Sequence, residues 1–130
     1  MAVVNPTSGH PTSVGVGTED GSVLKCVWLL TTADFVGQAV KIPEWSDQTW
    51  HMTGTFGAAT VVVETAPVDT DAQYSVCKNA AGGAAIGVTV QGVVTPIENS
   101  QFMRPKLSVV GAGASITVTL IARRGNSMRT

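Results

Sequence analysis

At 130 residues the chain has room for one domain of ordinary size and not for two. Eight Lys and Arg against nine Asp and Glu leave a formal net charge of −1, which excludes nucleic-acid binding through bulk charge. Charged residues make up 13% of the chain and hydrophobic ones 44%, so it carries about half the charge of an average globular domain. A surface so poor in charge is badly hydrated in a lone molecule. The composition therefore favours a component of an assembly over a solitary soluble enzyme.

Val and Thr dominate, and with five Ile the β-branched residues make up about a third of the chain. Such side chains lose rotamer freedom in a helix and pack well on a pleated surface. They predict an all-β domain: an antiparallel β-sandwich or jelly-roll-like barrel of about eight short strands, preceded by an extended N-terminal arm. No basic and then apolar leader follows Met1, and no run of about 18 apolar residues occurs. The expectation is a chain made in the cytoplasm with no membrane partner.

Residues 1–22, MAVVNPTSGHPTSVGVGTEDGS, are rich in Gly, Pro, Ser and Thr and show no sustained period. They read as an arm, reaching on the order of 70 Å when extended. Its apolar beads Val3, Val4, Val14 and Val16 suit contact with a neighbour's surface. The domain proper runs over 23–124, with a polar tail at 125–130.

In the first strand, 23–31, odd and even positions are both largely apolar, which predicts cover on both faces, Lys25 excepted. A short strand follows at 38–42, stopped by Pro43, and then a polar loop holding Trp45. Residues 49–56 alternate, with Thr49, His51, Thr53 and Thr55 on a wet face and Trp50, Met52, Gly54 and Phe56 on a packed one. A hairpin connection or bulge at 56–58 leads into a strand over 58–65, where Glu64 marks departure from the core. After a turn-rich link at 66–72 come a short strand at 73–78, a loose turn at 79–85 and a glycine-interrupted strand at 86–94. The last pair, 102–110 and 115–124, is joined through Gly111-Ala112-Gly113-Ala114.

Little in this sequence signals catalysis. His10 precedes Pro11 in the arm and His51 sits among threonines, so neither is placed beside a nucleophile and an orienting acid. Cys26 and Cys77 lie in apolar segments without metal-ligand spacing and read as buried free thiols. Glu64, Asp69 and Asp71 offer oxygen ligands for calcium but lack a glycine-bearing ligand loop, and an aspartate at a turn more often bonds its own backbone. No cofactor and no metal are expected. Trp50 reads as core, whereas Trp45, in its loop, is the better interface anchor. Arg104, Arg123 and Arg124 put positive charge in the last quarter, suited to bidentate pairs with a partner's carboxylates.

Two stretches carry a resemblance. Gly54-Thr55-Phe56-Gly57 runs into Ala58-Ala59-Thr60-Val61-Val62-Val63-Glu64. Later Phe102-Met103-Arg104-Pro105-Lys106-Leu107 is followed by the Thr/Val-alternating strand from Ser115 that ends in Arg123-Arg124. In this order they resemble small β-rich virion structural proteins of tailed bacteriophages, of the head decoration or cement type. The likeness covers residues 50–124 with a gap in the middle. It departs after Glu64, where Thr65-Ala66-Pro67-Val68-Asp69-Thr70-Asp71 stands in place of an Asn/Asp-Gly turn and a Trp.

The resemblance implies a non-enzymatic protein of the virion, bound to the outside of the head shell and bridging its subunits. Its partners would be the major capsid protein and other copies of itself, commonly as a homotrimer, with no nucleic acid. Alternatives are a tail or neck structural protein, a lectin-like module using Trp45, Asp47 and His51, and, more distantly, a small β-barrel hydrolase.

Overall fold

Alternation of apolar and polar side chains sorts the strands into two sheets with their apolar sides facing. The structure, a computed structural model, describes residues 3–4, 23–41, 47–98 and 100–123, with the backbone alone at Val3, Val4 and Val23. Among them are ten strands: β1 (Val3–Val4), β2 (Val23–Thr31), β3 (Val36–Gly37), β4 (Val40–Lys41), β5 (Asp47–Thr55), β6 (Thr60–Ala66), β7 (Ser75–Val76), β8 (Gly92–Val94), β9 (Phe102–Val109) and β10 (Ser115–Arg123). A single 3-10 turn, Asp71–Gln73, is the one helical piece among these residues.

The four-stranded sheet has the order β2-β10-β5-β8, and the six-stranded sheet β1-β3-β9-β6-β7, with β4 also pairing β9. All pairs are antiparallel except β1 with β3. Taking β3 and β4 as one interrupted strand and setting β1 aside leaves two antiparallel sheets of four. The chain changes sheet at nearly every connection, the strand order of a jelly roll. The all-β sandwich expected from composition is the fold observed.

Pro105 explains the interruption between β3 and β4. The Leu107 N–H donates to the Phe35 carbonyl at 2.8 Å. Two residues earlier, Pro105 faces the same way and has no N–H to give, and there the partner strand breaks between Gly37 and Val40. A side chain on Gly37 would fall 2.7 Å from the Pro105 ring and 3.0 Å from Trp28, so only glycine fits.

The core is built by Leu24, Cys26, Trp28 and Leu30 of β2, Trp50 and Met52 of β5, and Ile116, Val118, Leu120 and Ala122 of β10. Opposite them stand Val61 and Val63 of β6 and Met103 and Leu107 of β9. Trp28 and Trp50 stack with centroids 5.4 Å apart and planes 10° from parallel. Each indole N–H is satisfied: Trp28 donates to the Gln38 carbonyl and Trp50 to Oε1 of buried Gln48, both at 3.0 Å.

Several expectations change in detail. The connection at 56–58 is neither hairpin nor bulge but an arch that carries the chain from β5 in one sheet to β6 in the other, and 111–114 joins β9 to β10 in the same way. The segment 86–94 is no continuous strand, because Val88 bridges Val61 in one sheet while β8 pairs β5 in the other. Within 73–78 the strand is only β7, flanked by the end of the 3-10 turn at Gln73 and by Lys78, which bridges Ala85. β2 is buried on one face only: Lys25 and Leu29 are exposed and Val27 half-buried.

Candidate interaction surfaces

Strand register lays out the outer face of the four-stranded sheet in three central rows, bounded by Thr31–Ser115–Thr55 at one end and Val23–Arg123–Asp47 at the other. The first is Leu29–Thr117–Thr53, the second Val27–Thr119–His51–Val93, and the third Lys25–Ile121–Thr49. Leu29 is 42% exposed and Val93 55%. His51 and Thr53 are also exposed, while the threonines and Ile121 between them are half-buried by their neighbours. Period-2 alternation produces this surface, since the residues that do not fill the core must point outward. Lys25 and His51 are the titratable groups of these three rows, and the exposed Arg123 and half-buried Asp47 of the next row share the same face. The central rows are rich in β-branched side chains, with the charge gathered at one end of the face. The wet face of 49–55 was legible in the sequence through Thr49, His51 and Thr53, but its union with Leu29, Val27 and Val93 was not. The signal was present in β2, whose second apolar face is an outward one rather than a second core.

The outer face of the six-stranded sheet is built differently. Glu64 of β6 and Arg104 of β9 are register partners there, and the guanidinium is 5% exposed. Arg104 Nε donates to Glu64 Oε1 at 2.9 Å and Nη1 to Asp71 Oδ1 at 2.9 Å. The Tyr74 ring lies 3.8 Å from the guanidinium carbon, the Tyr74 hydroxyl donates to Asp69 Oδ1 at 2.8 Å, and Lys106 Nζ stands 3.9 Å from Glu64 Oε2. Burial disfavours the Arg104 cation, but its bonds to Asp71 and Glu64 outweigh this and hold its pKa above the ordinary arginine value. Burial, and then the bond to Asp69, pushes the Tyr74 hydroxyl up.

This cluster corrects two expectations. Arg104 meets carboxylates of its own chain rather than a partner's, because β9 and β6 place it directly opposite Glu64. Glu64 does not mark an exit from the core; it is buried by its pairing with Arg104. The acidic residues considered for calcium are engaged by Arg104 and Tyr74. Among the described residues no group of three His, Cys, Asp or Glu is placed to hold a metal. The arrangement is a brace: it pins residues 67–74 across the sheet and leaves Val68 exposed at the tip.

Arg123 is exposed at the end of β10, opposite Val23 and Asp47. Val3 and Val4 pair with Val36 and Gly37 of β3 in their own chain. Val14, Val16, Trp45 and Arg124 lie outside the described residues. Cys26 and Cys77 are free and buried, and burial raises both thiols to about 12. The imidazole of His51 has Thr119 and Val93 across the strands and Thr49 and Thr53 along its own.

No protein-family model matches the chain, and no curated protein matches it.

Proposed function

We propose that this chain is a non-enzymatic structural protein of a virion that decorates the head shell of a tailed bacteriophage. In this reading the outer face of the four-stranded sheet is its contact with the major capsid protein. Jelly rolls serve capsids, lectins and other modules alike, so the fold does not choose among them. The observation that carries the reading is the Val/Leu/Thr surface of the central rows, with charge gathered at one end, which agrees with the shortage of charge in the whole chain.

Strand spacing makes that face about 15–20 Å on a side, or roughly a quarter to a half of the ~800 Å² that a standard interface takes from each partner. One such contact is weak. Copies grouped around a symmetry axis, as in the homotrimer the resemblance implies, would add their contacts and hold firmly through avidity. Of the residues of the lectin alternative, Trp45 lies outside the described residues, and Asp47 and His51 stand two rows apart on the outer face of the four-stranded sheet.

The test is occupancy on expanded capsids of the encoding phage, imaged after mixing with purified protein. A Thr119→Asp variant places an unpaired carboxylate at the centre of the face, at a cost of about 1–3 kcal/mol on docking, and should lower affinity by roughly 10-fold or more. Ser108→Asp, on the opposite sheet's exposed strand end, should bind normally. Equal binding by both variants, or density confined to the tail, would refute the assignment.

A further inference from the structure

The jelly roll is complete without β1. Its eight strands pair antiparallel, whereas Val3–Val4 adds to the edge of β3 as the sole parallel pair among the described strands. Parallel neighbours need a connection of a dozen or more residues. Here residues 5–22, 18 in all, link β1 to β2, a length that spans about 60 Å when extended. A link of that reach does not dictate which molecule's β3 receives the strand.

The receiving edge is preformed. Val36 is fully buried, Gly37 is wedged against the Pro105 ring and Trp28, and the Phe35 carbonyl accepts from the Leu107 N–H at 2.8 Å. These contacts hold β3 in place whether or not a strand lies beside it. Among the described residues the donor, by contrast, has two register pairs, Val3 with Val36 and Val4 with Gly37, and otherwise lies near β2 alone. Its preference for its own chain therefore rests on the effective concentration that the covalent link supplies, which for a connection of this length is on the order of millimolar. Neighbouring copies crowded on a surface offer acceptor edges at comparable concentration.

We propose that the β3 edge is a strand-exchange site for a second copy: Val3–Val4 of one molecule pairs with Val36–Gly37 of the next, linking copies through their N-termini. From the docking reading this takes only that copies are held side by side.

Full-length protein, half of it isotope-labelled, is mixed at millimolar concentration and examined by isotope-filtered NMR. The expected result is cross-copy contacts between Val3–Val4 of unlabelled chains and the amides of Val36 and Gly37 of labelled chains. Removing residues 1–4 should abolish association in sedimentation and leave thermal unfolding nearly unchanged. Contacts found only within a copy, a monomer at every concentration, or an oligomer that survives the deletion would each overturn the proposal. No capsid is present in this test, so its failure leaves shell docking standing, and failed docking leaves the exchange standing.

Discussion

Arg104 shows how one side chain can have a local use that its sequence context conceals. The guanidinium is buried and meets Glu64, Asp71 and the Tyr74 ring. Removing it strands the Glu64 carboxylate, whose nearest other cation is Lys106 at 3.9 Å. Arg104→Ala should cost about 3–5 kcal/mol in urea unfolding. Pairing Arg104→Met with Glu64→Leu should recover most of that, because no unpaired charge is then left inside. Arg104→Lys should rescue poorly, since an ammonium lacks the planar fork that reaches two carboxylates. The thiols supply a second expectation. Cys26 and Cys77 hold their protons up to about 12 in the folded chain against an ordinary 9.0. A folded state that binds the extra protons is favoured below the ordinary value and loses that advantage as pH rises toward 12. Stability should therefore fall between about pH 9 and pH 12. A Cys26→Ala/Cys77→Ala variant should have a shallower slope there. Thiol reagents at pH 8 should label the native chain only as fast as it unfolds.

The arches show what period-2 reasoning can and cannot recover. Alternation in 49–55 and 115–123 located both strands and their buried faces, because side chains on a pleat have no other way to divide. The same alternation is silent about which sheet the next strand joins. A glycine-bearing turn between two strands looks alike in sequence whether it closes a hairpin or crosses the sandwich, so 56–58 reads as a hairpin connection or bulge and 111–114 simply as the join of the last pair. What decides is tertiary packing. A Cβ on Gly57 would strike the Ala112 carbonyl, and one on Gly111 would sit 2.6 Å from the Ala59 amide, so the two arches lie backbone to backbone. The glycines that read as turn signals are also the seam between them. Gly111, at φ +70°, should tolerate no side chain, and Gly111→Ala should cost at least about 2 kcal/mol from left-handed strain and collision together. Ala58 is the converse case, exposed and held at φ 69° although it is not glycine. Ala58→Gly relieves that strain and should raise stability by up to about 1 kcal/mol, less the added freedom of the unfolded chain.

At the scale of the whole molecule the two outer faces divide the work. One is closed by the Arg104 brace, which draws residues 67–74 onto the six-stranded sheet. The other is left open by every described element and presents Val27, Leu29, Thr119 and Val93 in register. Composition foretold that such a skin must exist but not where, since a list of residues does not say which strands have an uncovered side. The nature of the open face sets how its contacts respond to ions. Between about 0.1 M and 1 M salt the screening length falls from ~10 Å to ~3 Å, so any docking held by charge weakens steeply. A contact made by Val, Leu and Thr loses little, and strongly hydrated salts such as sulfate strengthen it by favouring burial. Attachment to the shell through the four-stranded sheet should therefore change by less than about threefold over that range of sodium chloride and tighten in sodium sulfate. Binding measured by sedimentation with capsids distinguishes the cases. A loss of tenfold or more at high sodium chloride would move the contact from the central Val/Leu/Thr rows to the charged end of the same face, where the exposed guanidinium of Arg123 would require a carboxylate-rich partner.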